Sequence, residues 1–296
     1  MQVKVTKQPK STIKIDIKVP NIKVKEAYET LMTDIVKNSE VSGFRKGTAP
    51  RKMVESKTDV SKIYGDLINE LLRAYYPRAI KENHIAPISN PKVEVKEFDI
   101  EKDFEFSAMV ATRPDVKVGD YKKKLKKVYA DKLKTAEKDK EEKLKKGEKL
   151  EPTHTHLLTT EVVDILLEIS NIEIPDLLID DETDRMMARL VDQTQAIGMS
   201  LDQYLKAQNK SAEELRTNYD KLSERNLKTE FILEHLIKEE KIEVNDAELE
   251  ETAKASGDPK TSEGLKDPVQ RWYIKSILEK NKLISKLIEE IEQSCK

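Results

Sequence analysis

Gly43-Phe44-Arg45-Lys46-Gly47-Thr48-Ala49-Pro50 cannot continue a helix: two glycines four residues apart and a closing proline punctuate the chain. The stretch is therefore a loop, and it carries one aromatic ring beside two adjacent cations. A ring gains nothing in water from a polar loop. Either Phe44 staples a tight turn to its own domain, or it is held out for a partner while Arg45 and Lys46 meet anionic groups.

The elements around the loop set the fold. Upstream, Val3 and Val5 alternate with charged residues, and Ile13, Ile15, Ile17 and Val19 alternate with Lys14, Asp16 and Lys18. That period of two predicts half-buried strands. Pro20-Asn21 ends the second, and Ala27, Leu31 and Ile35 mark a helix over about 24–38. Downstream, Arg51–Lys57 reads as a short helix. A longer one starts near Val60, with Asp59 as its cap and Tyr64, Leu67, Leu71 and Tyr75 on one face, and Pro77 is expected to kink or shorten it. Lys92–Phe98 and Phe104–Ala111 are two further strands. The first unit is thus α+β.

The loop and its setting resemble the ribosome-docking loop of bacterial trigger factor, a family of chaperones at the nascent-chain exit of the large ribosomal subunit. Six positions of the pattern Gly-Phe-Arg-Lys-Gly-x-x-Pro are matched, between a first and a second helix. The resemblance implies ribosome-binding roles for Gly43, Phe44, Arg45, Lys46, Gly47, Pro50, Arg51 and Lys52, with ribosomal RNA and protein as partners. Arg51, Lys52 and Lys57 would add longer-range attraction.

Charge is distributed unevenly along the 296 residues, although the net is only −2. Residues 1–120 hold 22 Lys/Arg against 18 Asp/Glu, residues 121–151 hold 13 against 7, and residues 152–296 hold 19 against 31. A basic front and an acidic back suggest that one end faces an anionic partner. The hydrophobic fraction of 37% equals the charged fraction, which suits an elongated helical protein more than one large globule. The N-terminal residues lack a signal-peptide core and no run is long and apolar enough to span a bilayer. With a single cysteine, Cys295, no internal disulfide can form. A cytoplasmic protein with neither membrane nor DNA partner is expected.

Trigger factors usually carry an isomerase domain of the FK506-binding type between their two ends. Here residues 118–153 are Lys/Glu-rich, with Gly119 and Gly147 as the only glycines and no β alternation. Leu125, Tyr129, Leu133 and Ala136 make a thin helical stripe, so the segment reads as a basic linker or helical arm in place of a catalytic domain. Domains of 1–117, 118–153 and 154–296 follow.

The last of these reads as all-α, without strand patterns. An apolar run from Leu157 to Ile169 precedes Pro175, which opens a helix ending near Ile197 and Gly198. Ser211-Ala212-Glu213-Glu214 is a capping-box start, Gly257–Pro268 a turn-rich connection, and Tyr273, Ile277, Ile284, Leu287 and Ile291 share one side of the final helix. Ile174–Ile179, Tyr204-Leu205 and Lys241–Val244 resemble the trigger factor C-terminal domain, whose helical arms form a cradle for unfolded polypeptide. Met186, Met187, Ile197, Met199 and Tyr204 are candidate client contacts, because thioethers adapt to varied partners. For any one of them, packing between helices of the arms is the favoured reading.

Catalytic chemistry finds no footing. His84, His154, His156 and His235 lack further ligands at metal spacing, Cys295 lacks an activating neighbour, and Gly43-x-x-x-Gly47 lacks the Lys-Ser/Thr of a phosphate loop. The expectation is an ATP-independent chaperone without cofactor, metal or isomerase activity, with room for a homodimer off the ribosome. A ribosome-independent helical holdase or adaptor is the alternative.

Overall fold

The computed structural model describes residues 1–146, 155–255 and 263–295. Met1–Pro114 with Pro175–Asp181 form one compact unit, and Asp115–Ile174 with Glu182–Lys296 form another.

In the first unit, β1 (Gln2–Gln8), β2 (Thr12–Val19), β3 (Lys92–Val95) and β4 (Phe104–Ala111) make an antiparallel sheet of order β1-β2-β4-β3. Helices α1 (Asn21–Asn38), α2 (Arg51–Lys57) and α3 (Val60–Glu82) lie between β2 and β3 in sequence. Ile15 pairs with Ala108 and Ile17 with Phe106 across β2 and β4, so one side chain in two points to the same face. That face, with Phe104 and Val110, packs on Val24 of α1 and Leu67, Leu71 and Ala79 of α3. Phe98 stacks edge-on against Phe104 with ring centres 5.5 Å apart, and against Tyr64 at 5.4 Å. The opposite face is ionic: Lys18 lies 3.1 Å from Glu105, which also meets Lys96 at 2.7 Å. The alternation seen in the sequence is therefore the boundary between core and water.

Local detail bears on two expectations. α3 holds Pro77 in its last turns and runs five residues beyond it, to Glu82. Asp59 does cap it, its carboxylate accepting from the Ser61 N–H at 2.9 Å. β3 stops at Val95 rather than Phe98, because Phe98 turns into the aromatic cluster instead of continuing the ladder.

The second unit is helical: α4 (Tyr121–Lys146), α5 (Thr159–Ile169), α6 (Asp176–Ala196, whose first residues belong to the first unit), α7 (Leu201–Ala207), α8 (Ala212–Glu239), α9 (Asp246–Ala255) and α10 (Pro268–Ser294). It also contains a short strand pair that no sequence pattern announces. β5 (Lys117–Val118) pairs with β6 (Ser170–Asn171), two residues each. Leu125 of α4, Leu166 of α5, Leu236 of α8 and Leu287 of α10 are buried where these helices meet. Ser211 caps α8 by accepting from the Glu214 N–H at 3.0 Å, and the Glu214 carboxylate accepts from the Ser211 N–H. Gly147–Glu151, His154 and the Gly257–Pro259 turn lie outside the described residues.

Candidate functional site

The loop after α1 is two consecutive turns. The Phe44 N–H donates to the Val41 carbonyl at 2.9 Å, and the Thr48 N–H to the Arg45 carbonyl at 3.0 Å. The third residue of each turn is a glycine with positive φ, Gly43 at 92° and Gly47 at 78°. Type II turns require that conformation at that place, which accounts for two glycines four residues apart. At Gly47 the constraint is also steric. A Cβ there would lie 2.7 Å from the Lys37 carbonyl oxygen, while the Gly47 N–H donates to Ser39 C=O at 3.1 Å. Gly47 thus lets the returning limb of the loop lie against the end of α1.

What fastens the loop is not Phe44. Val41 and Ala49, one from each limb, bury themselves with Val54 of α2 against Ile35 and Val36 of α1. Phe44 is 42% exposed at the junction of the two turns and takes no part in that cluster. Arg45, Lys46 and Lys52 are exposed around it. Lys46 lies 3.7 Å from Glu40, a distance that water and salt screen easily. Among the described residues, neither Arg45 nor Lys52 has an ion-pair or hydrogen-bond partner for its side chain.

Arg51 behaves differently from its neighbours. It donates to Glu29 of α1 through both terminal nitrogens, and from Nε to Glu55 of α2 at 2.7 Å. Its guanidinium also sits 5.6 Å from the centre of the Tyr28 ring. These carboxylates hold it charged well above the usual arginine range, Glu29 first. Arg51 therefore clamps α2 to α1 and sets the base of the loop, while Pro50 begins α2 with its carbonyl accepting from Met53 N–H at 2.9 Å. The loop presents a ring and cations on an apolar and ionic foundation that it does not itself supply. Such a surface suits an anionic partner with an apolar notch.

In the helical unit, the five candidate contacts separate. Met187 and Tyr204 pack on the cluster of Leu190, Leu205 and Leu215 that joins α6, α7 and α8. Met186 is half-buried, its sulfur 3.4 Å from the Ser223 hydroxyl, and Met199 is half-buried too. Ile197 stands 72% exposed after the end of α6. Among the described residues a further exposed apolar group lies on α10. Trp272 and Tyr273 of α10 are 66% and 62% exposed, with Val269 and Ile277 exposed on the same side of the helix. Helical spacing alone places Tyr273 and Ile277 on one side with Ile284, Leu287 and Ile291. Of that stripe the last three are buried.

Among the described residues no group of three or more His, Cys, Asp or Glu side chains could hold a metal ion, and no helix is long and apolar enough to cross a membrane. The exposed His156 meets the largely buried Glu292 at 3.0 Å.

Comparison with known proteins accords with this arrangement. Residues 1–146 match the family model described as bacterial trigger factor protein (TF), and residues 120–290 match that of the bacterial trigger factor protein (TF) C-terminus. The two matches overlap, which leaves no room between them for an inserted domain. Trigger factor of Staphylococcus epidermidis (strain ATCC 35984) is 40% identical over 108 residues, 36% of this chain and 25% of that protein. Trigger factor of Staphylococcus aureus (strain Newman) is 41% identical over the same length, 36% of this chain and 25% of the relative. The chain thus matches these relatives over about a quarter of their length. A solved structure from work on promiscuous substrate recognition by the trigger factor chaperone in folding and assembly superposes with a TM-score of 0.66 at 15% identity. It covers 98% of this chain and 100% of that one, a likeness of fold. With both family models matched, the second over more than half of this sequence, the chain belongs to the bacterial trigger factor family.

Proposed function

We propose that this protein is an ATP-independent chaperone that docks on the large ribosomal subunit through residues 43–52 and shields emerging polypeptide with its helical unit. The observation that carries the docking is the exposed Phe44 beside unpartnered Arg45, on a loop anchored by other residues. A loop that used its ring for its own stability would bury it. Phe44 is the apolar anchor, Arg45 and Lys46 neutralise phosphate or carboxylate groups, and Lys52 adds steering. Attraction of this kind is moderate and falls with salt, as cycling on and off a particle demands.

Client contact belongs to the exposed apolar groups of the helical unit, Trp272, Tyr273 and Ile197 before the methionines. Met187 and Tyr204 serve the α6–α7–α8 packing. Holding by such side chains needs no nucleotide. Prolyl isomerisation is not part of the proposed activity, since the chain passes from one matched region to the other without a further domain.

Co-sedimentation with purified ribosomes tests the docking: the wild-type chain pellets, and Phe44→Ala combined with Arg45→Ala and Lys46→Ala stays in the supernatant. Pelleting of the triple variant at wild-type level would overturn it. The aromatic face of α10 independently favours holding without a ribosome. If the triple variant still suppresses aggregation of a refolding client as well as the wild type does, docking and holding are separable activities of one chain.

A further inference from the structure

α4 carries twelve lysines against five acids in residues 121–146. The structure divides them by face. On the inner side Tyr121, Leu125 and Tyr129 are buried, and the lysines beside them are neutralised. Lys122 meets Glu240 at 2.7 Å and Glu290 at 3.3 Å, Lys124 meets Glu168 at 2.8 Å, and Lys132 meets Glu161 at 2.8 Å. On the outer side Lys123, Lys126, Lys127, Lys134 and Lys138 are all exposed. Lys134 lies a loose 3.8 Å from Asp131, and among the described residues the other four have no ion-pair partner. At about 100° per residue these five fall within an arc of about 120°, and at about 1.5 Å per residue they extend over about 22 Å. Within residues 123–138 the acids near that arc are Asp131 and Glu137, too few to balance it, and Asp120 and Glu141 follow the same arc just beyond its two ends.

We infer that this lysine row is a second polyanion-binding surface, distinct from the 43–52 loop, and that it takes the phosphate backbone of RNA without regard to sequence. The helix has already spent its apolar face on the unit's interior, so it has none with which to enter a lipid surface. The outer arc bears neither an aromatic ring nor an arginine, the groups that anchor most protein–protein contacts and that stack on or read bases. A row of point charges with nothing else on it fits a continuous phosphate chain. The choice of RNA over DNA rests on the ribosomal reading above. The charge row itself is independent of that reading, and the test contains no ribosome.

The test is fluorescence anisotropy of a labelled 20-nucleotide single-stranded RNA titrated with the full chain over a range of salt. Lys123, Lys126, Lys127 and Lys138 are replaced together by Gln, which has similar helix propensity. The expected result is about tenfold or greater loss of affinity and a slope of log affinity against log salt that is shallower by about 3, near 0.7 for each phosphate no longer neutralised. Replacing the same four by Arg restores both. The comparison is between the wild type and the fourfold variant, both with the 43–52 loop intact and without ribosomes, so failure of the ribosome reading and failure of this one are distinguishable. If the fourfold variant melts differently from wild type, Lys126→Gln with Lys127→Gln alone gives about half the slope change. Unchanged affinity and slope in these variants would overturn the inference. So would wild-type binding confined to polyglutamate or to anionic phosphatidylserine vesicles.

Discussion

The 43–52 loop and the helical unit are built in opposite senses. Under the loop, Val41, Ala49 and Val54 form an apolar base, and charge is turned outward. In the helical unit, charge is turned inward at Glu240, whose side chain is 13% exposed, and an aromatic face is left outside on α10. There the Glu240 carboxylate accepts from the Tyr121 hydroxyl and from Lys122 and Lys286, each at 2.7–2.8 Å, tying α4 and α10 to the end of α8. The loop keeps its aliphatic groups inside with its cations outside, whereas the Glu240 node keeps ion pairs inside while α10 leaves aromatic groups outside. The proposed partners, an anionic particle and an unfolded polypeptide, would call for these two different surfaces.

The contrast is broken most strongly in the sheet core. Phe104→Ala removes a ring fully buried among Phe98, Phe106, Leu67 and Leu71, and the expected loss is about 3–5 kcal/mol. Hydrogen exchange should show protection collapsing in β2, β4 and α3 while α8 and α10 keep theirs. Equal loss in both units would mean that they fold as one.

Next comes the ionic node. Glu240→Gln leaves Lys122 and Lys286 without their shared carboxylate, and about 2 kcal/mol of the helical unit's stability should go with it. Hydrogen bonds from Lys122, Lys286 and Tyr121 hold the Glu240 carboxyl down at about 2. A carboxylate with a lowered folded pKa contributes stability that is complete above its unfolded value near 4.5 and is lost as pH falls toward 2. The difference in stability between wild type and Glu240→Gln is therefore constant from about pH 5 to 7 and shrinks below about pH 4.5. Urea melts at stepped pH check this, and a difference that grew on acidification would contradict the node.

Of comparable size but confined to the loop is Gly47→Ala, which forces a Cβ into the Lys37 carbonyl at positive φ. A cost of about 1–3 kcal/mol is expected, felt in exchange of the 39–50 amides, with weakened ribosome pelleting. The least effect on stability belongs to Phe44→Ala, within about 0.5 kcal/mol in thermal melts because the ring is outside the cluster below it. A large fall in melting temperature would return Phe44 to the role of a staple.

Much of this is legible in the chain. The alternation of Ile13, Ile15, Ile17 and Val19, the caps at Asp59 and Ser211, and the glycine spacing of the loop each carry a local physical cause, and local causes are what a sequence displays. Arg51 reads from the sequence as a cation reaching outward, because its partner Glu29 is 22 residues away and on another helix. The stripe on α10 is periodic throughout, and periodicity reports that a face is apolar without reporting what covers it. Here Ile284, Leu287 and Ile291 are covered and Tyr273 is not. β5 and β6 are too short to show any alternation, and Pro77 sits within α3 because the helix continues on tertiary contacts such as the burial of Ala79.

A photo-crosslinking residue placed at position 44, with a second protein labelled at the exposed position 22 of the same unit, tests the docking claim most directly. On purified ribosomes the account predicts crosslinks from position 44 to components of the large subunit at its tunnel exit, competed away by raised salt, and none from position 22. Crosslinks from both positions alike, or from neither while the chain still pellets, would contradict it.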